Sequence, residues 1–310
     1  MFCWKTWVVA MFDDPHIDEV LINGCHGMQV LGEAPSWLPS PFTGDRELIE
    51  AMQSLAHGQQ MRLDPLQPAA GGMLLAPMPG SMLHLRWHAL LPPIARDGPL
   101  LSLRRHRLDQ LGLQDFMSPA ETEKLELHLR TDAPVFIMGP TGAGKTSLLV
   151  ALLQRWAYEE RVAILEQLAE IPRLSPYWIR VCAQEADLRG QGAFPLGWVF
   201  DELLRLRPDR LVIGELRREE LVALKRSLLA GHRGVWCTLH ASGPELLALR
   251  LADLSGETAT FWDTLCREQS AVALVMQREK PRLREAWIAL PSGWELIFSS
   301  TTGRSKPESF

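Results

Sequence analysis

The sequence predicts an α/β chain: a parallel sheet with crossover helices over its larger part, preceded by a small α+β domain. Three observations predict it. Runs with apolar centres (PVFIM at 134–138, RVAILE at 161–166, DRLVIGE at 209–215, VWCTLH at 235–240) alternate with segments of helical periodicity, as buried parallel strands and their crossover helices do. Before them, MLHLRWHALL (82–91) and PLLSLRR (99–105) instead alternate apolar with polar residues, the pattern of half-buried strands. A glycine-rich octet, GPTGAGKT at 139–146, joins the first buried run to the first strong helix.

Composition bounds the rest. At 310 residues, 46% hydrophobic and 22% charged, the chain is neither disordered nor, with its 23 Gly and 22 Pro in no period, collagen-like. Thirty-two Lys and Arg against 37 Asp and Glu give a net charge of −5, which argues against nucleic-acid binding through bulk charge. Five Cys (Cys3, Cys25, Cys182, Cys237, Cys266) show no metal-ligand spacing, and their odd number forbids a full disulfide set, so buried free thiols in a reducing compartment are expected. The 11 Trp are dispersed and read as packing residues. No apolar stretch approaches the ~20 residues of a membrane span, and MFCWKTWVVAMFDD lacks the features of a signal peptide, so a cytoplasmic protein is expected.

Taken in order, residues 1–107 form the α+β domain. VLIN (20–23) and MQVL (28–31), around Gly24–Gly27, predict a hairpin. Leu48, Met52 and Leu55 predict a helix over 45–57 with Gly58 as its stop. Residues 59–80, rich in Pro and Gly, read as a long loop. A linker is expected at 108–117. The second domain, 118–300, opens with a capping box: Ser118 at the N-cap, Pro119 first in the helix, Glu121 three after the cap. Helices follow at Thr146–Glu160, Pro195–Arg207 and Glu219–Ala230, with a further strand at 177–183. A second capping box is expected at Ser242–Glu245, and a closing antiparallel meander at 272–277, 284–290 and 294–300. Residues 301–310 are expected to be a flexible tail.

The octet from Gly139 to Thr146 fits G-x-x-x-x-G-K-[ST] in its required setting, after a buried strand and at the start of a helix. The backbone of Gly139, Pro140, Thr141, Gly142, Ala143, Gly144, Lys145, Thr146 and Ser147 defines the stretch that cradles phosphates through its N–H groups. Lys145 reaches the β- and γ-phosphates and the Thr146 hydroxyl ligates Mg²⁺. ATP and Mg²⁺ are the cofactors this implies. Glu215, closing LVIGE, is the matching acid, holding the Mg²⁺ water or polarising the attacking one. Glu166 and Glu170 are candidate general bases, although strand-end glutamates are as readily surface carboxylates. His240 ends its strand on the phosphate edge, as a γ-phosphate sensor or a structural His; His232 precedes that strand. Arg104 and Arg105 are candidate phosphate-reaching cations or a solvated basic edge.

In that order, GPTGAGKT, ILEQLAE, LRLRPDRLVIGELRREE and GHRGVWCTLHAS resemble the traffic ATPases of type II and type IV secretion and pilus systems, and IDEVLING (17–24) and ALLPPIARDGPLLSLRRH (89–106) extend the resemblance into the first domain. The form GELR and the short first domain resemble the type IV secretion and tight-adherence pilus branch. The resemblance implies a RecA-like ATPase domain, ATP–Mg²⁺ between the two domains, a homo-hexameric ring, and a peripheral place at the cytoplasmic face of the inner membrane against a platform protein. It assigns Glu166 and Glu170 to the acidic box, Glu215 to the Walker B position, His232 and His240 to the histidine box, Arg104 to the arginine pair, and matches Arg205, Arg207 and Arg217 to family arginines. Three features depart from the family: Gln167 in place of Asp, Ser242 in place of Asn, and the stretch 191–200. They support an alternative, a nucleotide-binding structural or regulatory ring subunit with weak hydrolysis. A nucleic-acid translocating motor is the third reading, disfavoured by the net charge.

Overall fold

The computed structural model describes residues 3–78, 81–106, 111–183, 192–232, 234–280 and 282–300. The chain divides into two compact units; of the described residues, 3–106 and 192–193 fall in one and those of 111–183 and 194–300 in the other. The expected tail at 301–310 and the first part of the expected linker lie outside the described residues.

The first unit is one antiparallel sheet with two helices. Its elements are α1 (Trp4–Met11), β1 (Ile17–Asn23), β2 (Gly27–Gly32), β3 (Ser36–Leu38), α2 (Asp45–His57), β4 (Ala69–Met78), β5 (Ser81–Leu90) and β6 (Leu100–Arg105), and the strand order is β3-β2-β1-β6-β5-β4. Period-two alternation puts Val20, Ile22, Leu83, Leu85, Trp87, Leu101 and Leu103 on one face, where Leu48, Met52 and Leu55 of α2 cover them. The opposite face carries Arg104, with Glu19 on β1 and Arg86 on β5 directly across from it. The expected loop at 59–80 is overturned: its second half is β4, ten residues long. Gly71 and Gly72 suggest irregularity in the sequence, but they are close-approach glycines. A Cβ on Gly71 would lie 2.8 Å from the His88 ring and 3.0 Å from the Trp87 carbonyl, and one on Gly72 2.0 Å from the Gln59 amide. Pro77 is tolerated because β4 is an edge strand.

The second unit is doubly wound. After a 3₁₀ turn (Leu113–Asp115) come α3 (Pro119–Leu129), β7 (Val135–Met138), α4 (Lys145–Trp156), β8 (Val162–Glu166), β9 (Ile179–Cys182), α5 (Leu196–Leu204), β10 (Arg210–Ile213), α6 (Arg218–Leu229), β11 (Val235–Leu239), α7 (Pro244–Ser255), α8 (Ala259–Glu268), β12 (Val272–Met276), β13 (Leu283–Leu290) and β14 (Gly293–Ser299). The order is β14-β13-β12-β7-β11-β10-β8-β9, parallel from β12 to β9 and antiparallel in the closing meander. Both faces are buried: Val135, Ile137, Ile164 and Val212 pack with α3 and α4, while Phe136, Met138, Leu165, Ile213 and Leu239 pack with α5 to α8. This is the RecA-like α/β architecture the sequence predicts.

The capping box at Ser118 forms, its hydroxyl accepting from the Glu121 N–H. The one expected at Ser242 does not. Pro244 takes the first helical position, so the cap falls on Gly243, which has no side chain to offer. Two helices end earlier than expected, at Trp156 and Leu204, and α1, β3 and α8 were not expected. Only Cys237 and Cys266 of the five thiols are buried; Cys3 and Cys25 are exposed, and all five are free. Trp87, Trp178, Trp236 and Trp262 are core residues, whereas Trp37 and Trp198 are exposed. Among the described residues no helix is long and apolar enough to cross a membrane.

Candidate functional site

The site is built where β7 turns into α4. Gly139, Gly142 and Gly144 all have positive φ (149°, 80° and 87°), so the turn needs glycine at each. At Gly139 space matters too: a Cβ would come within 2.7 Å of the Met276 carbonyl of β12. Gly144 is the N-cap of α4 and carries no capping side chain. The first N–H groups of a helix lack intrahelical partners, so here they face outward from a positive helix end. Thr146 and Ser147 sit in that first turn, half-buried, while Pro140, Thr141 and Gly142 are exposed and Ala143 is buried. Lys145 is buried, and its ammonium donates to the carbonyls of Gly139 and Pro140, 3.0 Å each.

Two strands away stands the acid. Leu239 of β11 is level with Met138 of β7, so His240 emerges beside the turn. Past β10, the Thr238 hydroxyl donates to the Gly214 carbonyl at 2.6 Å and the Leu216 N–H donates to the Thr238 carbonyl at 2.7 Å, pinning Glu215 between them. The result is one continuous chain of contacts. Lys145 Nζ is 3.4 Å from His240 Nδ1, and His240 Nε2 is 3.0 Å from Glu215 Oε1. An ammonium can only donate, so Nδ1 accepts and Nε2 carries the proton given to Glu215. Glu215 Oε2 accepts from Arg217 Nε (3.1 Å) and Nη2 (2.7 Å), and Arg217 Nη1 donates to Gln167 Oε1 at 3.3 Å.

Glu166 is not in this chain. Its carboxylate turns back onto its own loop, accepting from the N–H groups of Glu170 (3.3 Å) and Ile171 (3.2 Å). Burial pushes its pKa up to about 8, against the Ile171 N–H, which favours the charged form. Its environment is that of a buried acid, not of the water-facing base the sequence suggested, and Glu170 contributes its backbone to that arrangement.

The remaining predicted residues separate. His232 precedes β11 at the opposite edge of the sheet, in an 810 Å³ cleft with His128 and Asp132, so only His240 of the two reaches the phosphate turn. Arg205 and Arg207 precede β10 at that opposite edge as well. In the first unit, Arg105 points inward and donates to the carbonyls of Ile17 (2.9 Å) and Asp14 (2.7 Å), whereas Arg104 is exposed. The 191–200 departure falls partly outside the described residues; its described part starts α5 and stacks Phe194 on Trp198, centroids 5.1 Å apart.

Two residues were missed. Arg278, in the turn after β12, donates from Nε to the Thr141 carbonyl at 3.0 Å and braces the phosphate turn from a neighbouring strand. Arg86 lies directly across from Arg104. Alternation along 82–91 puts Arg86 on the polar face, a signal that identifies the face but not the neighbour. Arg278 had no local signal.

The fold and the turn together define a P-loop α/β protein. The model of the type II/IV secretion system protein family matches residues 67–286, and the chain belongs to that family. A putative conjugal transfer protein of Mycobacterium tuberculosis is 34% identical over 218 residues, covering 69% of this chain and 62% of that protein. The chain thus spans about 62% of the length of that mycobacterial relative. The conjugal transfer protein TrbB of Rhizobium radiobacter is 30% identical over 259 residues, 80% of this chain and 75% of that one. The pilus retraction motor PilT with bound ADP shares the fold (TM-score 0.63, 15% identity, 95% and 83% coverage), as does the Legionella pneumophila ATPase DotB (0.58, 18%, 87% and 74%).

Proposed function

We propose that this chain is an ATP-hydrolysing motor subunit that works as a homo-hexamer against an inner-membrane platform protein, at the cytoplasmic face, to power pilus assembly or secretion. The observation that carries the ATPase reading is the unbroken path from Lys145 through His240 to Glu215. It links a glycine turn suited to polyphosphate with a carboxylate two strands away. The donor set fits ATP and Mg²⁺: outward N–H groups at the α4 end, a buried ammonium, a half-buried hydroxyl and a half-buried carboxylate. Residues Gly139 to Ser147 hold the phosphates. Thr146 and, through water, Glu215 hold the Mg²⁺, which neutralises phosphate charge when bound. Glu215 orients the attacking water, and His240, bonded to both Lys145 and Glu215, responds to the γ-phosphate. Arg104 supplies a further cation to the phosphates. That role rests on the match of Arg104 to the family's arginine pair; within its own unit Arg104 is exposed and lies directly across from Glu19 and Arg86. The motor and secretion roles rest on membership of the secretion family and on kinship with conjugal transfer proteins.

Steady-state phosphate release with Mg²⁺-ATP tests the reading. Lys145→Ala should lose both ATP binding and turnover, and an unchanged rate would refute the site. Arg104→Ala should lose turnover, by as much as roughly 10³-fold, with far less effect on affinity. Native mass spectrometry with an ATP analogue reads the ring. The second reading, a nucleotide-binding ring subunit with little hydrolysis, is favoured by one observation: both oxygens of Glu215 already accept hydrogen bonds. Nucleotide binding with phosphate release no faster than in Glu215→Gln would select it.

A further inference from the structure

Glu215 is level with Gln167, not Glu166, because Leu165 of β8 pairs with Ile213 of β10, which sets Glu166 beside Gly214 and the next residues beside each other. Arg217 bridges that pair. It grips one Glu215 oxygen with two N–H groups and passes its third nitrogen to Gln167. Its own backbone is fixed independently: the Arg217 N–H donates to the buried Glu220 carboxylate at 3.2 Å, at the start of α6. The grip occupies Oε2 and leaves Oε1 as the oxygen turned to His240 and the phosphate turn. A two-point grip of this kind suits guanidinium and not ammonium, since only the guanidinium presents a planar fork.

We propose that Arg217 is a positioning residue for Glu215, and that Gln167, by being neutral, keeps it there. A carboxylate at 167 would compete with Glu215 for the guanidinium, because a charge-assisted bond is roughly twice as strong as a neutral one. The neutral amide anchors the third nitrogen without pulling the other two away. Gln167 is then an adjusted part of the site in this chain and not a lost acid. The inference rests on the ATPase reading above.

The experiment is steady-state phosphate release on the full chain, with ATP binding followed separately by a fluorescent ATP analogue. Arg217→Gln should lower kcat roughly 10- to 100-fold, the range for residues that orient a first ligand. KM and analogue affinity should stay within about twofold, since the phosphate turn is untouched. Arg217→Lys should restore little. Gln167→Glu should lower kcat several-fold, and adding Gln167→Ala to Arg217→Gln should cost nothing further, because Gln167 acts through Arg217. Tm should barely move in Arg217→Gln, as the capping bond to Glu220 is made by the backbone. A full rescue by Lys, a higher kcat in Gln167→Glu, or a kcat loss that tracks lost affinity or Tm overturns the inference. An absence of phosphate release in the unaltered chain overturns the ATPase reading instead; analogue binding with release and an unaffected Arg217→Gln overturns this inference alone.

Discussion

Glu166 and Glu215 close apolar runs on neighbouring strands, β8 and β10, at the same edge of one sheet, and yet they are different chemical objects. Glu215 is half-buried, shared between a histidine and an arginine, and joined through the histidine to the phosphate turn. Glu166 is buried, held by backbone N–H groups of its own loop, and raised to about 8 by desolvation. One residue of register separates them: Glu166 is the last residue of its strand, whereas Glu215 lies two beyond Ile213, outside the ladder. An apolar strand ending in Glu therefore does not by itself fix the surroundings of the carboxylate. Depth along the edge decides whether the carboxylate meets water or backbone.

Removing the charge of Glu215 should have the greatest consequence. Glu215→Gln should reduce kcat by roughly 10²–10⁴-fold, the range for a group that handles the reacting water, while a fluorescent ATP analogue still binds. Retained turnover would move the chemistry to another carboxylate. From the other side, Glu166→Gln should cost less than about tenfold in kcat, since a protonated Glu and a Gln present nearly the same shape. A larger loss would return Glu166 to the catalytic group.

Glu166→Gln also distinguishes the two carboxylates by pH. The folded chain holds the Glu166 proton up to about 8, against an ordinary value of 4.5. Between those values the folded state binds more protons than the unfolded one, so stability is greatest at the low end and falls as pH rises through about 8. Tm measured from pH 5 to 9 should fall less steeply in Glu166→Gln than in the unaltered chain. Parallel curves would mean that the Glu166 carboxyl is ionised throughout.

These differences mark what the residues alone could convey. The phosphate turn was legible because its glycines serve local geometry: three positive φ angles in six residues between a buried strand and a helix. The Ser118 box and the α2 stop were legible for the same reason. What escaped is non-local. Gly71 and Gly72 look like loop residues until Trp87 and Gln59 are seen to pass over them, and Pro77 looks like a breaker until β4 is known to be an edge. Ser242 has a cap-like sequence, but Pro244 shifts the cap by one. Of the site, Lys145, Thr146, Glu215 and His240 follow from motif and strand end. Arg278 comes from a turn over a hundred residues away. The partition between Glu166 and Gln167 depends on strand register, which no residue type records.

Gly214 is where that partition can be tested with the smallest expected effect. The position has no left-handed backbone to justify glycine. What it has is proximity: a Cβ would sit 3.0 Å from Glu166 Cγ and 3.2 Å from Oε1. That is tighter than an ordinary contact, and the Glu166 side chain, bonded at its far end to Glu170 and Ile171, has little room to give. Gly214→Ala should therefore cost about 1–2 kcal/mol, seen as a lower Tm, through overpacking and not through lost conformational freedom. If crowding against Glu166 is the cause, shortening that side chain must relieve it. Glu166→Ala leaves its own cavity and two unpaired N–H groups, so it is destabilising alone, but the methyl introduced by Gly214→Ala then fills part of the vacated space. The double variant should be more stable than the sum of the single effects predicts. Strict additivity would mean that Gly214 and Glu166 do not touch, and the tucked position of Glu166 would fall with it.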